Sequence, residues 1–301
     1  MAGLCAGRIV IVTGAGRGLG RSYALAFARE GARVVVNDLG TTLAGAGHDR
    51  SPAQAVVEEI RACGGEAVAS ADDVSEWDSA GRIVATALER FGGLDVLVNN
   101  AGFVRDRMFV SATLEEWDAT MKVHLRGHFC VTRHAVDYWR ARIKQGHAVD
   151  ARIINTSSGA GLNGSIAQSA YSAAKGGIAS LTLVQAAELA RYGITANALA
   201  PAARTRMTEA AFAERMKRPA TGFDAQDPDN IAPTVVWLGS SESRAVSGCV
   251  FELEGGRIAI DDGWNDGPQL DKHARWEPRE VGAAVAQLLA QRRPQKKVYG
   301  T

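Results

Sequence analysis

The sequence predicts an α/β fold: a parallel sheet of about seven strands with helices on both faces, in three layers. Two observations carry this. Short β-branched runs alternate with helical patterns along the first two-thirds of the chain, the order that parallel strands and crossover helices produce. The strand runs are apolar throughout rather than alternating, so both sheet faces are covered. Seven strands with their crossovers use most of the 301 residues, and no repeat or low-complexity linker interrupts them. One domain over residues 1–267 and a helical tail over 268–301 are expected.

Residues 8–13 (RIVIVT) read as a buried strand, 19–30 as a helix and 33–38 (RVVVND) as a second strand. In 52–63, Val56, Val57 and Ile60 share one side of a helix. Residues 66–70 suit a short strand. A helix over 75–91 takes Ser75 as its N-cap, and 95–99 (DVLVN) is the next strand. Two helical patterns fill 113–144. Residues 152–156 (RIINT) are a strand, 170–192 a long helix, 194–199 a strand, and 250–253 (VFEL) close the series. The Gly-rich stretch 40–51 is a loop. The stretch 201–229 holds Pro201, Pro219, Gly222 and Pro228 and reads as a flap over a pocket. Residues 278–292 form the tail helix, ahead of a Pro/Lys-rich end.

Lys and Arg total 34 against 33 Asp and Glu, without the basic excess that nucleic-acid binding needs. Cys5, Cys63, Cys130 and Cys249 are scattered, which argues against zinc and disulfide frameworks alike. A reducing, cytoplasmic setting is expected. No apolar run reaches the ~18–20 residues that cross a bilayer, and residues 1–5 carry no secretory pattern.

Gly14, Gly16, Gly18 and Gly20 lie between the first strand and first helix, interleaved with Arg17 and Leu19. Such glycines let backbone approach a diphosphate at a helix N-terminus, where free N–H groups and the dipole favour anions. The pattern arises about 0.4 times by chance in a chain this rich in glycine, so its position between strand and helix carries the weight. Asp38 ends the second strand, where a carboxylate accepts ribose hydroxyls and repels a 2′-phosphate. That favours NAD over NADP; Arg17 pulls the other way. Asp73 and Val74 follow the third strand, where the Asp side chain is placed to bond an adenine amino group; for Asp38 the alternative is a carboxylate that serves only a turn.

Tyr171 and Lys175 are four apart on one helix, hence on one face. An adjacent ammonium is expected to lower the phenol from its usual ~10, fitting it to exchange protons with an alcohol or ketone. Ser158 stands 13 residues before Tyr171 and would hold the substrate oxygen; Ser157 competes for that role. No nucleophile elbow surrounds either serine.

The ordered set TGAGRGLG (13–20), NNAG (99–102), Ser158 and YSAAK (171–175) resembles the short-chain dehydrogenase/reductase family, from about residue 7 to 264. The resemblance implies a Rossmann-type doubly wound sheet, contact of Asn100, Ala101 and Gly102 with the coenzyme, and nicotinamide recognition by Pro201 to Thr205. Through VVVNDLG (34–40), Arg105-Asp106-Arg107, VHLRG (123–127), TRMT (205–208) and VVWL (235–238), it is most similar to the (3R)-hydroxyacyl-CoA dehydrogenase subgroup. Two departures stand out. His124 occupies the position where many members place an Asn for a proton relay, so the relay runs through imidazole or His124 merely packs. The usual Pro-Gly after the sixth strand reads Pro201-Ala202, one residue short of the usual run to Thr205.

The flap offers Met207, Phe212, Met216 and Phe223 to an acyl chain, and Arg204, Arg206, Arg215, Lys217 and Arg218 to CoA phosphates; a solvated basic face is the alternative. Three functions remain open: NAD-dependent oxidation of a 3-hydroxyacyl-CoA, oxidation of a free secondary alcohol such as a steroid, and a non-catalytic nucleotide-binding scaffold. The resemblance also implies a homodimer or homotetramer through the helices of 113–144 and 170–192. There Ala179, Leu183, Ala186, Ala187 and Ala190 form a stripe that pairs subunits or simply covers the sheet.

Overall fold

The computed structural model describes residues 3–299 apart from 42–46, 48, 212, 215, 264 and 295. Eight strands form one sheet in the order β3-β2-β1-β4-β5-β6-β7-β8. They are β1 (Ile9–Thr13), β2 (Arg33–Asn37), β3 (Glu66–Ser70), β4 (Val96–Asn99), β5 (Ala151–Thr156), β6 (Ile194–Ala202), β7 (Val250–Glu254) and β8 (Arg257–Asp261). The first seven run parallel. β8 returns antiparallel to β7 through the turn Gly255-Gly256, where Gly255 has φ +54. This eighth strand is absent from the sequence prediction, which stops at Leu253.

Val10 and Val12 of β1 face one core, while Ile9 and Ile11 face the other. Helices α1 (Gly18–Arg29) and α2 (Ser51–Ala62) cover the first face; α3 (Trp77–Phe91), α5 (Gly127–Lys144) and α7 (Ser169–Leu189) cover the second, with α4 (Leu114–Met121) packed on α7. A short α6 (Gly159–Asn163) precedes α7, and α8 (Arg206–Ala211), α9 (Ala232–Gly239) and the tail helix α10 (Pro278–Gln291) follow it. The helix α9 was not predicted as an element, although its VVWL run was noted.

Three local differences have clear causes. Ser75 does not cap α3: its hydroxyl donates to Asp73, and the helix starts two residues later. α4 begins where Thr113 and Glu116 form a capping box. It joins α5 through a π-turn over Lys122–Arg126, whose wider winding buries His124. Strand β6 outruns its prediction to include Pro201. By then β5 has ended at Thr156, opposite Leu199, so a residue lacking N–H is tolerated.

A polar network ties the sheet centre to α7. Asn99 donates to Thr132 and Asn155, and Asn155 donates to Thr182 and Gln185. All five side chains are buried, and their mutual bonds offset the desolvation each would otherwise suffer. The strand order reverses between β1 and β4, the switch point at which open α/β sheets open a crevice.

Candidate active site

Two cavities meet at that crevice and share Leu19, Asn100, Gly102 and Thr205. The first runs from Asp38, Asp73 and Val74 past Arg17, Gly14, Gly18, Gly20 and Ala101. Gly14 and Gly18 have φ +63 and +54, conformations that L side chains rarely adopt. A Cβ on Gly20 would lie 2.2 Å from the Gly14 carbonyl oxygen, leaving room only for hydrogen. Asn100 Nδ2 donates to the carbonyls of Thr13 and Gly14, so it braces the turn as well as lining the cleft. Gly16 stands behind the wall: its N–H donates to Asp38 Oδ2 at 2.8 Å. Asp38 Oδ1 accepts from Gly40 N–H at 2.7 Å, which pins the carboxylate at the cleft edge. Asp73 gives one oxygen to Ser75 and still lines the cavity. Arg206 faces the same cavity; burial and the charge of Arg17 hold its pKa below the usual range, with Asp38 opposing.

The second cavity holds Ser158, Tyr171, Lys175, His124 and Pro201 together. The two serines have different partners. Ser157 donates to the Lys175 carbonyl and is buried, whereas Ser158 caps α6 and lines the cavity beside the Tyr171 phenol. Lys175 Nζ donates to Thr156 O at 2.6 Å and lies 5.6 Å from the Tyr171 ring centroid. Burial lowers Lys175 from 10.5 to about 7. Burial likewise raises the Tyr171 phenol, with Asp106 adding and the Ser158 hydrogen bond opposing. The sequence expectation that Lys175 lowers Tyr171 therefore does not hold, because desolvation disfavours charge on both groups.

His124 is buried and meets Tyr171 edge-on, with ring centroids 5.2 Å apart. Nε2 lies 2.7 Å from Phe103 O and 3.2 Å from Phe103 N, so the Phe103 backbone offers it both an acceptor and a donor. Nδ1 has no partner among the described residues. Burial, then the charge of Lys175, lowers the His124 pKa well below the usual range, so the ring is neutral. A second histidine, His128, was not anticipated: it accepts from Thr156 N–H and falls to about 3, chiefly through burial.

The flap is more occupied than expected. Arg204 is buried, donates to Met216 O and pairs with Asp224, which removes it from the basic set offered to phosphates. Lys217 pairs with Glu214 at the surface. Met216 is buried against the second cavity, while Phe223 is exposed. Phe212, Arg215 and the Met207 side chain lie outside the described residues. Thr205 lines both cavities despite the shortened run before it. Glu252, Glu254 and Arg257 from the β7–β8 hairpin and Tyr299 from the tail complete the second cavity; none was anticipated. No group of three or more potential metal ligands occurs among the described residues, and none of their helices is long and apolar enough to cross a membrane.

A dinucleotide cleft ending at a Ser, Tyr and Lys set defines a nicotinamide-dependent oxidoreductase site. The short chain dehydrogenase family model matches residues 8–216, and the chain belongs to that family, whose members act on CH–OH groups. It is 40% identical to hydroxyacyl-CoA dehydrogenase ChsB1 of Mycobacterium tuberculosis, over 98% of this chain and 92% of that protein. It is 44% identical to mouse peroxisomal multifunctional enzyme type 2, over 93% of this chain but only 34% of that longer protein. A crystal structure of a short chain dehydrogenase from Mycobacterium avium matches with 58% identity and TM-score 0.89, over 99% of this chain and 100% of that one.

Proposed function

We propose that the protein is an NAD-dependent dehydrogenase of 3-hydroxyacyl-CoA thioesters in lipid or steroid catabolism. The carrying observation is the Ser158, Tyr171 and Lys175 cluster in a cavity that shares Leu19, Asn100, Gly102 and Thr205 with the cavity reaching Asp38. The relative named hydroxyacyl-CoA dehydrogenase, matched over nearly its whole length, supports the substrate class. The residues present fit the coenzyme: Gly14, Gly18 and Gly20 line the cleft at the α1 N-terminus, where free backbone N–H groups favour a diphosphate.

In this reading Asp38 takes the adenosine ribose and disfavours a 2′-phosphate. Asp73 and Val74 flank the adenine, Asn100, Ala101 and Gly102 form the floor, and Pro201 and Thr205 hold the nicotinamide amide. The coenzyme supplies a hydride acceptor when bound. Tyr171 takes the proton from the carbinol oxygen, Ser158 hydrogen-bonds that oxygen, and Lys175 holds the ribose beside the phenol. The neutral His124 turns an unpartnered Nδ1 to a water that would carry the proton onward. Residues 1–267 constitute the catalytic domain and 268–301 its tail. A homodimer or homotetramer would use the exposed Phe129, Leu183 and Val184; within the alanine stripe only Ala186 is buried against the sheet. Unpaired cysteines suit the cytoplasm.

Withdrawal of Arg204, together with Glu252 and Glu254 lining the substrate cavity, favours a second reading in which a free secondary alcohol is oxidised. A side-by-side assay decides: NADH formation from a short 3-hydroxyacyl-CoA, from the free hydroxy acid and from a hydroxysteroid, each repeated with NADP. Thioester oxidation with NAD is expected. Turnover of free alcohols alone establishes the second reading, and NADH binding without any turnover leaves a non-catalytic scaffold.

A further inference from the structure

The end of the tail returns to the catalytic site. Tyr299 N–H donates to Gly164 O, and Ile166 N–H donates to Tyr299 O at 2.9 Å, forming a parallel bridge between Ser165 and Tyr299. Lys296 Nζ donates to Glu252 at 3.0 Å and to Asp261 at 3.2 Å, fastening the tail to the β7–β8 hairpin. The Tyr299 side chain lies over Gly159. A Cβ there would fall 2.6 Å from its hydroxyl and 2.9 Å from its ring. Gly159 follows Ser158 directly, and Tyr299 lines the same cavity as Tyr171.

The loop that Tyr299 grips is clasped from its other side. Arg107 N–H donates to Ala167 O, and Gln168 Nε2 donates to Asp106. Between the two clasps Ala167 has φ +61, a strained value for alanine that surrounding contacts must hold. Gln168 then leads into α7, which carries Tyr171. By contrast, no residue of α10 is buried. The tail is thus anchored at its far end, at the site, rather than along its helix.

We propose that Tyr299 is a specificity-determining residue: its ring forms the outer wall of the substrate pocket and selects the group attached next to the carbinol carbon. The substrate class rests on the proposed function, but the wall does not. A rigid aromatic ring over glycine narrows the pocket, so it favours small acyl groups by contact and opposes bulky ones by exclusion. Lys296 and the Ser165 bridge hold the ring there, and the tail thereby acts on selection without touching the coenzyme half of the cleft.

The test measures kcat and KM for a small and a bulky member of two series, 3-hydroxyacyl-CoA thioesters and free secondary alcohols. The proteins are wild type, Tyr299→Ala, Tyr299→Phe and Lys296→Ala, with NADH affinity measured for each. Tyr299→Ala is expected to shift the small-to-bulky kcat/KM ratio at least tenfold toward bulky substrates, mainly through KM. Tyr299→Phe restores the wild-type ratio, Lys296→Ala gives a smaller shift, and NADH affinity stays constant. An unchanged ratio in Tyr299→Ala, or an equal loss for both members, overturns the wall. Turnover of free alcohols alone overturns the thioester reading while the ratio still judges Tyr299; turnover of neither series overturns both.

Discussion

Lys175 makes coenzyme-free stability depend on pH in an unusual direction. Burial has brought its ammonium from 10.5 to about 7, and unfolding returns it to water. Below pH 7 both states hold the proton, and keeping it in the fold costs about 5 kcal/mol, at about 1.36 kcal/mol per pH unit between the two values. Between 7 and 10.5 the unfolded chain holds one proton more, so stability climbs with pH. Above 10.5 neither state is charged. The sign is opposite to that of a lysine whose pKa is raised by a partner. Lys175→Met removes the titrating amine while filling much of the same space. Most other ionisable groups contribute alike to both proteins, so the difference between them isolates Lys175. The assay is urea unfolding without coenzyme at about pH 7, 8 and 9. Across that span the wild type should gain about 2 kcal/mol on the variant. A constant difference would show that Lys175 keeps its charge in the folded cleft and would refute the burial argument.

Tyr171→Phe removes the proton-transfer group and should lower kcat by ~10²–10⁴, with NADH titration unchanged. Asp38→Ala should narrow the preference for NAD, read as the ratio of kcat/KM with the two coenzymes; an unchanged ratio would shift that role to Arg17 and Arg206. Gly20→Ala drives a methyl against the Gly14 carbonyl and Asn100. A turn displaced at a cost of ~1–3 kcal/mol should weaken NADH about 10–100-fold, measurable by fluorescence titration.

The central strands were legible because each is a short apolar run bounded by polar or glycine residues, and Tyr171 and Lys175 because a helix makes i and i+4 neighbours. What escaped falls into three kinds. β8 left a readable trace, a Gly255-Gly256 turn joining two extended runs, which was not used. The π-turn over Lys122–Arg126 leaves none: no proline or glycine lies inside it, and the extra residue per turn emerges only from packing. Tyr299 leaves none either, since its partner Gly159 is 140 positions away and no local period encodes so distant a meeting. The different partners of the two serines left no trace either, since the Lys175 carbonyl that Ser157 engages lies on another element. The Arg204 expectation failed because composition shows how many cations a segment carries but not which are already engaged by Asp224.

The buried amides at the sheet centre also set the orientation of the long helix above them. Thr182 and Gln185 are the points at which α7 is bolted to Asn155, and Tyr171 stands eleven residues back along the same rod, about 16 Å away. A bolt at one end fixes roll: a small rotation there would swing the phenol sideways by a proportionate arc. Apolar isosteres at Asn155, Thr182 and Gln185 could preserve thermal resistance while leaving the aim of the ring loose, separating a sturdy molecule from an accurate one.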